Sequence, residues 1–320
     1  MIPATMRAAR LHGVRDLRVD TVDVPTPGPG EVLVRIEACG ICPTDVRKFL
    51  LGTEDGTYPF NPGHEWVGRV EAGGPDLADL KAETRVYGDT YAGYAEYALL
   101  GVEPAPWSYG ALALPEELPV ERAIFVEPLA DCLHAVRDQA RVEPGDLVVV
   151  LGAGQMGLQI VLVAAAAGGR VLAVEPLPKR RRLALELGAQ EAVGEEEWPN
   201  AARDADVIIL TVGDVDLVRP AVDVAGPGAR VVLFAGFGER ADAVLNLNRL
   251  HYQEIALVGS EWIGTPPRER RELYEEALEL LVSGTAPLER LVTARCGLDG
   301  IATAYEAQQA RRGLKTVVVP

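Results

Sequence analysis

The chain has 320 residues, of which 48% are hydrophobic and 24% charged; that is long enough for two domains and too apolar for a disordered protein. Its formal net charge is -16, which argues against nucleic acid and anionic membranes as partners, because both need a clustered basic surface. No apolar run reaches the ~18 residues that cross a bilayer, and Met1 to Arg7 lacks the apolar core of a signal peptide, so a cytoplasmic location is expected. Cys39, Cys42, Cys132 and Cys296 are too scattered for a disulfide framework, and metal binding is the better use for at least one of them.

Up to about Leu100 short β-rich runs, such as Val32 to Ile36 and Trp66 to Val70, alternate with Gly/Pro turns such as Pro25-Thr26-Pro27-Gly28-Pro29-Gly30. From Glu121 the pattern becomes helix and strand in turn. Strands are expected at Leu147 to Leu151, Val171 to Val174, Val207 to Thr211, Val231 to Phe234 and Ile255 to Gly259, with helices through Ala167 and over Lys179 to Leu187. This predicts an α/β chain with a doubly wound parallel sheet in its second half. An amphipathic helix over Arg268 to Val282 follows, then a helix from about Leu298 to Ala310 and the run Thr316 to Val319. This tail is expected to return and complete the first domain, giving one domain of 1–127 with 261–320 and another of 128–260.

The apolar run Val148-Val149-Val150-Leu151 leads directly into Gly152-Ala153-Gly154-Gln155-Met156-Gly157. In G-x-G-x-x-G the first two glycines let the backbone approach a pyrophosphate, the third lets helix pack on strand, and the helix N-terminus faces the anion. Glu175 stands at the end of the next strand, where a carboxylate accepts hydrogen bonds from ribose hydroxyls and repels a 2′-phosphate, favouring NAD over NADP. The basic run Lys179-Arg180-Arg181-Arg182 pulls the other way, as a phosphate clamp or as a solvated helix face, and Lys179 is in reach of a ribose.

Nearer the N-terminus, Cys39-Gly40-Ile41-Cys42-Pro43-Thr44-Asp45 and Gly63-His64-Glu65 offer thiolate, imidazole and carboxylate, the donor set of a catalytic zinc site. With Glu127-Pro128-Leu129-Ala130 and the glycine motif in the same order, the sequence resembles the zinc-dependent medium-chain dehydrogenase/reductase superfamily, in its polyol (sorbitol) and threonine dehydrogenase branch, over essentially the whole chain. The resemblance implies a Rossmann-type nucleotide domain and a β-rich, GroES-like catalytic domain. It implies Cys42 and His64 as metal ligands with Glu65 and Glu127 as the carboxylates that take the remaining positions or exchange with water, Asp45 as a carboxylate that orients a ligand, and Thr44 as the hydroxyl that relays the substrate proton. Cys39 is then a buried apolar residue. Arg47 stands where many members carry a relay histidine, and arginine is no base at neutral pH.

Between Val86 and Tyr94 there is no cysteine, so the four-thiolate lobe of most zinc members is missing and one zinc per chain is expected. The implied reaction is hydride transfer between a secondary alcohol (a polyol, cyclitol or amino alcohol) and NAD. The alternatives are a zinc-free quinone or enoyl reductase of the same superfamily and a non-catalytic nucleotide-binding protein. Arg295 matches a tail position that in polyol dehydrogenases touches substrate hydroxyls, a surface salt bridge being its other reading. Trp262, Trp107 and Tyr109 are candidates to line a cleft or to pack in the core. His134 and His251 read as structural or interface residues, and His12 as exposed in a turn. The apolar strand Ile255 to Gly259 is expected at an open sheet edge, so a homodimer or homotetramer is expected.

Overall fold

A computed structural model describes residues 1–75, 82–104, 108–238, 240–261 and 264–320. Trp107 and Trp262 lie outside the described residues. The chain forms two compact units, Met1–Pro128 with Pro266–Pro320, and Leu129–Thr265.

The first unit starts with an antiparallel hairpin of β1 (Thr5–Gly13) and β2 (Asp16–Asp23). His12 lies in β1, not in a turn, and its Nε2 is 2.7 Å from Asp20 Oδ2. Next come β3 (Glu31–Gly40), α1 (Pro43–Leu51), β4 (Glu65–Gly73), β5 (Arg85–Gly88), β6 (Tyr97–Gly101), β7 (Leu112–Ala113), α2 (Val120–Ala123) and α3 (Val126–Leu133). Helix α1 starts with Pro43 inside its first turn, where its fixed φ fits and no N–H is needed, and with Asp45 near its N-terminus, where the helix dipole favours an acid.

In the second unit β8 (Leu147–Leu151) runs into α4 (Gln155–Ala166), followed by β9 (Arg170–Val174), α5 (Pro178–Glu186), β10 (Glu191–Val193), α6 (Trp198–Ala201), β11 (Ala205–Leu210), α7 (Val218–Val224), β12 (Ala225–Leu233), α8 (Leu247–Gln253) and β13 (Ala256–Gly259). The strands form one parallel sheet in the order β10-β9-β8-β11-β12-β13. Numbered within the sheet this is 3-2-1-4-5-6, the doubly wound order, which reverses direction between β8 and β11. Covered on both faces, β8 reads as an unbroken apolar run and β11 as one from Val207 onward, after the exposed Asp206, which makes them visible in the sequence.

The tail rejoins the first unit as α9 (Pro267–Ser283), β14 (Val292–Cys296), α10 (Ile301–Gln309) and β15 (Lys315–Val318). The mixed sheet runs β14-β15-β3-β4-β5-β7, with β6 also on β3. Its register brings three distant segments together: Gly40 at the end of β3 faces Glu65 of β4 on one side and Val317 of β15 on the other.

Candidate functional site

Cys42, His64 and Glu65 meet in the first unit, each offering one ligand atom and all of these within 4.8 Å of one another. The local chain sets this up. Cys42 is the N-cap of α1, fixed by the turn that starts the helix. Glu65 opens β4, with its side chain fully buried, and His64 precedes it.

Asp45 is buried on the first turn of α1. Its Oδ1 accepts from the Gly63 N–H at 3.1 Å and lies 3.5 Å from His64 Nδ1, while its Oδ2 accepts from the Tyr94 hydroxyl at 3.0 Å. A carboxylate on Nδ1 orients the ring and leaves Nε2 as the ligand nitrogen. Burial works against ionised Asp45, but the imidazole and these two donors outweigh it and hold the carboxyl below its usual range. Burial likewise opposes a charged imidazole, yet Asp45 and Cys42 hold His64 well above its usual value. Burial pushes the Cys42 thiol up, against the pull of His64.

Behind the cluster stands a fully buried cation. Lys315 Nζ forms a short ion pair with Glu65 Oε2, donates to the Ile41 carbonyl at 3.4 Å and lies 5.4 Å from the centre of the Phe125 ring. Gly40 makes the room: a Cβ there would sit 2.4 Å from Glu65 Oε2 and 3.1 Å from Lys315 Cε. The other carboxylate oxygen, Glu65 Oε1, is buried without a hydrogen-bond partner, and the contact of His64 Nδ1 with Asp45 at 3.5 Å is an ion pair and not a hydrogen bond. Donors about 2.0–2.3 Å from a zinc ion stand roughly 3.3–3.8 Å apart, so a cluster this tight, with a buried carboxylate oxygen unsatisfied, fits the metal with little movement.

Glu127, expected as a fourth ligand, is not in the tight group. It lies in the first turn of α3, and burial pushes its carboxyl up to about 7, with Glu65 and Asp89 adding to the shift and His64 and Lys315 opposing it. Thr44 is exposed in the first turn of α1, two residues from Cys42. Arg47 is 3.7 Å from Glu54. Cys39 is in the first unit's core, its Sγ 3.5 Å from the Gly40 carbonyl. Arg295 is 60% exposed and ion-paired with Glu121, which is the surface salt bridge of its alternative reading. Tyr109 is buried, stacked on Tyr274 at 4.7 Å.

In the second unit, Gln155 and Met156 open α4 behind the glycine loop. A Cβ on Gly157 would lie 2.0 Å from the Gly152 carbonyl oxygen, so the close approach of helix to strand requires glycine there. Gly154 is different: its φ of -74° is open to any residue, and a Cβ would meet no protein atom within 4 Å. The space before it is where a pyrophosphate would lie. Glu175 is buried at the end of β9. Its Oε2 accepts from the Ala153 N–H of the loop at 2.9 Å and its Oε1 from the Leu177 N–H at 3.0 Å. Lys179 is exposed. Arg180 is not the distant, solvated residue of a helix face: it is 16% exposed and 4.0 Å from Glu175 Oε2. Arg181 donates to the carbonyls of Glu175 and Pro176 at 2.7 and 2.9 Å.

His134 is buried, with Nδ1 2.9 Å from Asp138 Oδ2, as a structural histidine would be. His251 is exposed on α8 beside Tyr252. Sequence reasoning misses Lys315 and Tyr91. The second is a half-exposed tyrosine between β5 and β6 whose ring centre is 5.1 Å from that of His64, and burial pushes its phenol up to about 12.

A compact donor cluster in one unit and a phosphate-ready glycine loop on a parallel sheet in the other define a nucleotide-dependent oxidoreductase. Residues 28–113 match the alcohol dehydrogenase GroES-like domain and residues 155–283 the zinc-binding dehydrogenase family, and the chain belongs to the zinc-dependent medium-chain dehydrogenase/reductase superfamily, in its polyol dehydrogenase branch. It is similar to sorbitol dehydrogenase of Bombyx mori, at 28% identity over 97% of each chain. Among solved structures, 2R,3R-butanediol dehydrogenase from Bacillus subtilis is similar at 26% identity and a TM-score of 0.85, covering 98% of this chain and 99% of that one. A zinc-binding dehydrogenase from Sinorhizobium meliloti 1021, bound to NADP, is similar at 26% identity and a TM-score of 0.87, covering 99% and 100%. No described helix is long and apolar enough to cross a membrane.

Proposed function

We propose that the chain is a zinc-dependent dehydrogenase that transfers hydride between a secondary alcohol, of the polyol, cyclitol or amino-alcohol class, and NAD. The observation that carries this is the tight cluster of Cys42, His64 and Glu65, together with a buried oxygen of Glu65 that has no hydrogen-bond partner. These three residues would hold the zinc, with Glu127 near enough to feel the charges of His64 and Glu65 and to take part. When bound, such an ion polarises an alcohol oxygen and lowers the pKa of its hydroxyl.

The remaining steps belong to the chain. Asp45 fixes the His64 ring. Lys315 holds one oxygen of Glu65, and the other has no hydrogen-bond partner. The exposed hydroxyl of Thr44 passes the substrate proton outward, and with Arg47 ion-paired to Glu54 the path continues through water. The loop of Gly152, Gly154 and Gly157 seats the pyrophosphate at the N-terminus of α4. The similar sorbitol and butanediol dehydrogenases support a substrate with neighbouring hydroxyls.

For the cofactor, Glu175 supports NAD. Each of its oxygens already accepts one backbone N–H and keeps a lone pair for a ribose hydroxyl, whereas a 2′-phosphate would meet the carboxylate at contact distance. Arg180 opposes this. NAD is expected to win by at least about tenfold in kcat/KM, the ratio that roughly 1.4 kcal/mol of repulsion produces. The test is the zinc-loaded protein with a panel of alcohols and both cofactors, beside Glu175→Ser, in which the preference should shrink as Arg180 turns to the phosphate. Failure to reduce either cofactor with any alcohol removes the reading; a native preference for NADP removes its cofactor half.

A homodimer or homotetramer belongs to the same reading. Strand β13 is the last of its sheet, with Leu257 exposed, and Leu247 and Tyr252 of α8 are exposed too. An apolar open edge is usually paired or covered. Sedimentation should give a dimer or tetramer at micromolar concentration, and Leu257→Asp should shift it toward monomer; a native monomer would end the idea.

A further inference from the structure

The segment between β5 and β6 is short, and it brings Tyr91 to the metal cluster. The Tyr91 ring stands edge-on to His64, centres 5.1 Å apart and planes at 68°. Phe60 meets it in the same manner at 4.8 Å. The Lys48 ammonium lies 5.6 Å from the Tyr91 centre and 5.5 Å from that of Phe60, and is held there by its ion pair with Glu54. These contacts fix the ring, yet Tyr91 is 41% exposed. None of the hydrogen bonds among the described residues uses its hydroxyl.

A single exposed aromatic residue needs no explanation. What sets this one apart is that its ring is packed against the imidazole of a cluster residue while the residue stays part-exposed and its hydroxyl takes no hydrogen bond among the described residues. A phenol presents an apolar edge that limits bulk and a hydroxyl that both donates and accepts, suited to an alcohol carrying a second hydroxyl.

We propose that Tyr91 is a specificity-determining wall of the substrate site: its hydroxyl hydrogen-bonds the hydroxyl next to the carbinol, selecting vicinal diols over simple secondary alcohols, while its ring limits the substituent beside His64. This rests on the dehydrogenase reading and names the residue that would recognise the neighbouring hydroxyl.

The test measures kcat/KM for 2,3-butanediol, 2-butanol and 1-phenylethanol in zinc-loaded native protein, Tyr91→Phe and Tyr91→Ala, with zinc content and diol binding by calorimetry alongside. Tyr91→Phe keeps the ring, so zinc content should hold while the ratio of diol to 2-butanol falls about tenfold, the loss expected when one hydrogen-bonding partner is removed. Tyr91→Ala should raise 1-phenylethanol relative to 2-butanol by about tenfold as the wall is lost. An unchanged diol ratio in Tyr91→Phe, in a protein that oxidises these alcohols, overturns the proposal. If Tyr91→Ala sheds zinc while Tyr91→Phe keeps native ratios, the ring only braces His64 and the proposal also falls. A native protein that binds the diol without oxidising it ends the dehydrogenase reading, and its affinity against that of Tyr91→Phe then decides on Tyr91.

Discussion

Cys42→Ser is expected to lose more than about 100-fold in zinc affinity, and with it alcohol-dependent NADH formation, whereas Cys39→Ser keeps one zinc per chain and most of the activity. The two residues are three apart in sequence and opposite in environment. Cys42 caps α1, and its sulfur belongs to the cluster with His64 and Glu65. Serine there replaces a soft thiolate with a hydroxyl that stays protonated at neutral pH, and two ligands hold zinc poorly. Cys39 is enclosed in the core, where burial pushes its thiol well up and keeps it protonated. A serine hydroxyl in that place would bury a polar group, but the Gly40 carbonyl that faces the sulfur at 3.5 Å can accept its hydrogen bond, so the cost is modest stability and not metal. Metal analysis of the purified variants, with their alcohol-dependent rates, is the check. Zinc retained in Cys42→Ser and lost in Cys39→Ser would reverse the ligand assignment, and two zincs in the native chain would reveal a site beyond this cluster.

The nucleotide half is legible in the sequence because its signals are local. Strands buried on both faces are unbroken apolar runs, and β8 has the bounds Leu147–Leu151 that its sequence announces. Gly157 is dictated by a carbonyl five residues earlier in the same turn, so motif and structure are one fact. The core of the metal site is legible for a related reason: Cys42 and His64–Glu65 sit at the ends of β3 and β4, adjacent antiparallel strands, and both motifs are short.

The residues that escape depend on register and on side chains from afar. Lys315 is 250 residues from Glu65 and reaches it only because β15 pairs with β3 opposite Gly40, which no sequence window shows. Tyr91 lies in a segment whose one sequence signal is the cysteines it lacks. Charged residues mislead most: Arg180 belongs to a run that reads as solvated and lies against Glu175, and His12 reads as a turn residue and is a strand residue paired with Asp20. Long polar side chains choose partners by tertiary placement, and periodicity carries no information about that choice.

Lys315→Met should destabilise the metal-free protein by about 3–5 kcal/mol, the cost of removing one partner from a buried ion pair, and lower its melting temperature by roughly 10 °C. Methionine nearly matches the lysine stem in volume, so packing against Phe125 and the Gly40 gap survives and the loss is electrostatic: the Glu65 carboxylate, fully buried, no longer faces a cation. Two further measurements separate this from a packing defect. Glu65→Gln combined with Lys315→Met removes both charges, and because replacing both members of a buried pair is often nearly neutral, most of the lost stability should return. Zinc added to Lys315→Met should raise the melting temperature more than it does in the native protein, since a bound cation would then supply the charge that Glu65 lacks. Equal melting temperatures for the native protein and Lys315→Met would mean that the pair does not form in solution. A double variant no more stable than the single one would mean that the lysine stem, and not its charge, was what the core required.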